Sequence, residues 1–93
     1  MAEDLYQVSV EFDYLITSSE GRKKYAHFCR TMGNKPFGAM PCTPFIFGTN
    51  APRVDPRKSC HYAVLGESNA RRFVEMVEES DLAKSVKSEK AQR

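Results

Sequence analysis

Any chemistry in this chain would draw on two histidines, three cysteines and a scatter of carboxylates, so their spacing is weighed first. Cys60 and His61 are adjacent, and by type they are a thiol nucleophile and its base. Neighbours on an extended segment point to opposite faces, so they cannot share the hydrogen bond that such a pair needs. His61 is therefore expected on the open side of a strand, and Cys60 among core residues as a small hydrophobe. His27, Cys29, Cys42, Cys60 and His61 are the soft metal ligands available, but they form neither a C-x-x-C nor an H-x-x-x-H pair. No metal and no cofactor is expected, and no catalytic residue is assigned. Cys42, flanked by Pro41 and Pro44, is the thiol expected nearest the surface, with only Lys35 in reach to lower its pKa. Gly33 and Gly38 lack the Lys-Ser/Thr that follows a phosphate-binding loop.

Three sets of residues are better suited to binding. Glu11 and Asp13 share one face of a strand, where they either keep that face hydrated or meet a basic partner. Phe37 and Met40 sit in a Gly/Pro-rich loop, where they either plug the end of the sheet or are held out for another protein. Arg22, Lys23, Lys24 and Arg30, with Arg53, Arg57 and Lys58, would make a phosphate-binding rim if the fold brought them together. The net charge of +2 says little by itself, but its uneven distribution allows a modest basic patch, not the strongly basic footprint of a dedicated DNA binder.

Positioning these residues takes one small domain, since 93 residues can bury a single core. Tyr6, Val8, Val10, Phe12, Tyr14 and Ile16 alternate with Gln7, Ser9, Glu11 and Asp13, the period of a strand covered on one side only. Thr17-Ser18-Ser19-Glu20 reads as a capping box with Thr17 as the cap. A helix follows with Tyr25, Phe28, Cys29 and Met32 in one stripe, ended by Gly33. Asn34 to Pro44 reads as a loop, Phe45-Ile46-Phe47 as a short strand, and Ser59 to Leu65 as another, broken by Gly66. Ser68 is expected to cap a second helix that buries Ala70, Phe73, Val74 and Val77. Residues 1–80 form the domain in this reading, and 81–93 a basic tail that is a frayed helix or disordered.

The expected fold is therefore α+β: a three-stranded antiparallel sheet with two helices on one face, in the order β-α-β-β-α, a truncated ferredoxin-like arrangement. Its missing last strand would leave one edge of the first strand open, and self-association there would cover it. The function expected is a non-enzymatic protein-binding module (an inhibitor, adaptor or regulatory subunit) acting stoichiometrically, as a homodimer if that edge pairs. Phe37, Met40, Glu11, Asp13 and His61 are its partner-binding residues. Nucleic-acid association through the basic helix and loop is the alternative, and an enzyme with a pocket formed between subunits from His61, Tyr62 or Asp55 is a third reading. The acidic start, Met-Ala-Glu-Asp, lacks the pattern of a signal peptide, and three cysteines, an odd number, suit a reducing compartment. A cytoplasmic protein that is not membrane-bound is expected.

Overall fold

The computed structural model describes residues 4–42 and 56–90. The alternating segment, expected to run extended to Ile16, forms strand β1 only over Leu5–Glu11, so Asp13 lies past the strand whose face it was expected to share with Glu11. Its even-numbered residues face inward: Val8 and Val10 are fully buried, and Phe12, just past the strand, is buried with them. Phe12 is the hub of an aromatic cluster, with ring centroids 5.0 Å from Tyr14, 5.1 Å from Phe28 and 5.8 Å from Tyr25. Such pairs add about 0.5–1.5 kcal/mol each beyond the area they bury.

Helix α1 spans Ser19–Met32. Its cap is Ser18 rather than Thr17, because Ser18 Oγ is the atom that accepts from the Gly21 amide, at 2.9 Å. The same hydroxyl donates to the Leu15 carbonyl at 2.8 Å, locking the β1–α1 turn to the first turn of the helix. Gly21 is buried there, because a Cβ at this position would lie 1.6 Å from the Leu15 carbonyl oxygen. Strand β3 covers Ser59–Leu65, and helix α2 covers Glu67–Ser80. Gly66, with φ 92°, precedes α2, so Ser68 lies inside the first turn and is not its cap. Phe28 meets Phe12, and Phe73 meets Tyr62 at 4.8 Å, so both helices pack on the face that carries the even-numbered residues of β1 and β3.

Two further strands depart from expectation. Strand β2 covers Met40–Cys42, inside the stretch read as a loop, and pairs antiparallel with β3. It is short and contains Pro41, which lacks a ladder donor and suits an edge strand. The strand expected at Phe45–Phe47 lies outside the described residues. The second departure is strand β4, Ser85–Lys90, where a frayed helix or disordered tail was expected. It pairs antiparallel with β1 from Tyr6↔Lys90 to Glu11↔Ser85. The sheet therefore has four strands in the order β2-β3-β1-β4, not three. A boundary at residue 80 does not separate a domain from a tail, since residues 85–90 belong to the sheet. The β1 edge on which self-association was expected is occupied by β4. Among the described residues no helix is long and apolar enough to cross a membrane.

Candidate functional site

The face of the sheet opposite the helices carries Leu5, Gln7, Ser9 and Glu11 from β1. Beside them stand Ser59, His61, Ala63 and Leu65 from β3, as the pairing register requires. Met40 stands opposite Ala63 and Cys42 opposite His61, which puts both on this face too. Its chemistry changes along the strands. At one end Leu65 is 55 % exposed and lies opposite Leu5, while Met40 is 53 % exposed next to Ala63. Apolar side chains from three strands thus meet in water.

The turn that leads into this end is built from unusual backbone. Lys35, Phe37 and Gly38 all have positive φ, at 51°, 53° and 76°. Pro36 fixes the turn's start, and the Ala39 amide donates to the Pro36 carbonyl at 2.9 Å. Ala39 is fully buried, whereas Phe37 is 39 % exposed. Ala39 is the residue of this turn that is sealed in the core, whereas Phe37 is only partly covered. A left-handed conformation costs an L-residue about 1–2 kcal/mol. Here a partly exposed aromatic residue carries that strain.

The middle of the face is polar and buried. Gln7 Nε2 donates to Ser9 Oγ at 3.1 Å, and Ser9 Oγ lies 2.9 Å from His61 Nδ1. With its proton on Nε2, neutral His61 accepts a hydrogen bond at Nδ1 from the Ser9 hydroxyl, whose oxygen in turn accepts from Gln7. Burial lowers the His61 pKa below its ordinary value and keeps the ring neutral. His61 is only 8 % exposed, so it is a buried member of a hydrogen-bonded cluster rather than a surface contact for a partner. Strand alternation assigned it to the correct face but could not give its depth.

Of the acidic residues, Glu11 is engaged within the chain, 3.4 Å from Lys84 Nζ, and the Lys84 amide also donates to the Glu11 carbonyl at 2.8 Å. It secures the entry to β4. Asp13 is exposed and lines a cavity of about 440 Å³ with Tyr14, Lys23, Lys24, His27, Asp81 and Leu82. Lys24 Nζ sits 5.4 Å from the Tyr14 ring centroid. The Tyr14 hydroxyl is buried and has no hydrogen-bond partner among the described residues; burial, then the neighbouring Cys60, Asp13 and Cys29, raise its pKa.

The basic residues converge only in part. The Arg57 and Lys58 carbonyls accept from the Ile16 and Phe12 amides at 2.8 and 2.7 Å, which ties both residues to the turn preceding α1. Lys23 and Lys24 share the cavity wall with two aspartates. Arg22 and Arg30 do not line that cavity, and Arg53 lies outside the described residues.

Two of the thiols, Cys60 and Cys42, are poor nucleophiles. Burial pushes Cys60 up to about 12, and burial likewise raises Cys42, which is half-buried rather than surface-exposed. Among the described residues no three His, Cys, Asp or Glu side chains converge to hold a metal ion. Comparison with known proteins gives no match: no family model, no curated protein and no solved structure matches this chain.

Proposed function

We propose that the protein is a non-enzymatic binding module that docks another protein through the Phe37 turn and the apolar end of the helix-free face. The observation that carries this reading is Phe37: a partly exposed aromatic held at φ 53° between Pro36 and Gly38. Strain of this kind persists where the surroundings over-determine it, and it clusters at functional segments. The turn is pre-ordered, so a partner that covers Phe37 and Met40 would lose little entropy in fixing them. Leu65 and Leu5 extend the apolar surface beyond Met40 on the same face. The strand order, with β1 and β3 central, supports reading the whole as a complete split βαβ, ferredoxin-like plan rather than a truncated one. Glu11, Asp13 and His61 drop out of the docking set, the first through its ion pair with Lys84 and the last through burial; Asp13 lines the cavity with Lys23, Lys24 and His27 of α1.

The test compares Phe37→Ser and Leu65→Ser with the wild type in stoichiometric capture from native lysate, with thermal melting of each variant in parallel. The expected result is loss of the captured protein at an unchanged melting temperature. A drop in melting temperature with capture intact would make Phe37 a packing residue and remove the reading. Nucleic-acid association is supported only by Lys23, Lys24 and His27 on one wall, where Asp13 and Asp81 offset the charge. Binding to an RNA oligomer that weakens steeply with salt would support that alternative.

A further inference from the structure

β4 is the outer strand of the sheet. One of its edges pairs with β1, and among the described residues nothing pairs with the other. Six residues is a full-length strand, and an exposed edge of that length is a template for another chain. The opposite sheet edge, β2, is blunted by its three-residue length and by Pro41. β4 contains neither proline nor glycine.

Its side chains divide by face. Lys87 and Glu89 lie opposite Ser9 and Gln7 on the helix-free face, while Val86, Ser88 and Lys90 lie opposite Val10, Val8 and Tyr6 on the helix side. Lys84 and Lys90 are used within the chain, bound to Glu11 at 3.4 Å and to Asp4 at 3.2 Å. Lys87 and Glu89 form no ion pair among the described residues. Lysine alone is a common guard on an edge strand. Here a glutamate two residues further on, on the same face, answers it.

We propose that the β4 edge pairs with the β4 edge of a second copy of this chain, antiparallel, about a two-fold axis that passes through Ser88. Among axes through Lys87, Ser88 and Glu89, the charge pattern selects this one. A two-fold axis perpendicular to the sheet keeps each face continuous only if partner positions share parity, since a one-residue slip moves every side chain to the other face. With Ser88 opposite Ser88, Lys87 stands opposite Glu89 of the second copy, and Glu89 opposite its Lys87. Centring on Lys87 sets lysine against lysine, and centring on Glu89 sets glutamate against glutamate; like charges directly opposite are unfavourable. On the helix side, Val86 meets Lys90 of the second copy, whose methylene stem covers it. The product is one continuous sheet of two copies, with the helices on one side and both apolar ends on the other. The inference does not rest on the docking role of Phe37, and a strictly monomeric protein would leave that role untouched.

The test is sedimentation velocity of the intact chain over roughly a hundredfold concentration range, with charge-reversed variants. The wild type is expected to form a concentration-dependent dimer. Lys87→Glu or Glu89→Lys alone replaces two attractive pairs by two like-charge pairs and should weaken association by about tenfold or more. The double variant K87E/E89K should restore wild-type association. An equimolar mixture of the two single variants should form a heterodimer tighter than either homodimer, which tests the register even if one variant is less stable alone. A wild type that stays monomeric, or single variants that associate as well as wild type, overturns the proposal. Failure of both the double variant and the mixture overturns the register.

Discussion

Gly21→Ala is the sharpest test of how α1 is held, because two physical effects predict opposite signs. In an exposed helix interior, replacing glycine by alanine adds about 1 kcal/mol of helix stability. At this position the added Cβ would sit 1.6 Å from the Leu15 carbonyl oxygen, 2.6 Å from its carbon and 2.7 Å from Ser18 Oγ. No side-chain rotation relieves contact with backbone, so the Leu15–Ser18 turn must move away from the helix. That movement opens the Gly21 amide to Ser18 bond at 2.9 Å, the Ser18 hydroxyl to Leu15 bond at 2.8 Å and the Ser18 amide to Leu15 bond at 3.1 Å. Three bonds at about 1 kcal/mol each, less the propensity gain, leave a net loss of about 2 kcal/mol. For a chain of this size that corresponds to a melting temperature lower by about 8–16 °C. The assay is urea unfolding followed by far-UV circular dichroism and tyrosine fluorescence, with Ser18→Ala and the double variant alongside. Ser18→Ala alone should cost about 1 kcal/mol. The double variant should lose less than the sum, because both changes open the same cap. A Gly21→Ala protein as stable as wild type, or more so, would refute the close approach of Leu15 and with it this account of the helix start.

Other outcomes follow from single features. Val86→Asp puts a carboxylate on the helix side of β4 opposite Val10 and should cost about 1–3 kcal/mol in urea unfolding, whereas an unstructured tail would show no change. Asp81 has φ 57° at the C-cap of α2. Asp81→Gly relieves both the left-handed backbone and an acid at the negative end of the helix, raising stability by about 0.5–1 kcal/mol by calorimetry. The His61 pKa is depressed in the fold, so the unfolded chain binds the extra proton as pH falls through 6.5, and stability should decline from about pH 7 toward pH 5. The slope attributable to His61 is at most about 1.4 kcal/mol per pH unit, and His61→Gln should flatten it.

The parts of the fold that could be read in the sequence are those where burial imposes a period. Tyr6, Val8, Val10 and Phe12 alternate because β1 is central and one of its faces is covered by helices. Phe28, Phe73 and Val77 fall in stripes because each helix has one buried side. β4 carries no such imprint. Of its helix-side residues only Val86 packs against the core, while Ser88 and Lys90 are exposed, and the spacing of Lys84, Lys87 and Lys90 mimics a helical repeat. β2 is hidden for a different reason, since Met-Pro-Cys offers neither length nor a β-branched residue. At the candidate site, Phe37 and Met40 were legible as apolar residues out of place in a Gly/Pro loop. Leu5 and Leu65 were not, because their adjacency exists only through the register of β1 on β3. The depth of His61 was equally hidden, since alternation names a face and says nothing of what surrounds it.

The pairing of Tyr6 with Lys90, reinforced by the Asp4–Lys90 contact at 3.2 Å, joins segments from opposite ends of the described chain. Loop closure on that scale must precede any reward from the contacts it makes, which slows folding relative to a domain of local hairpins. During synthesis the first strand therefore waits, ring-bearing side formed but one flank bare, until the final strand has been made. Lesions that truncate or slow that last segment would expose a sticky central ribbon rather than simply shortening a surface appendage.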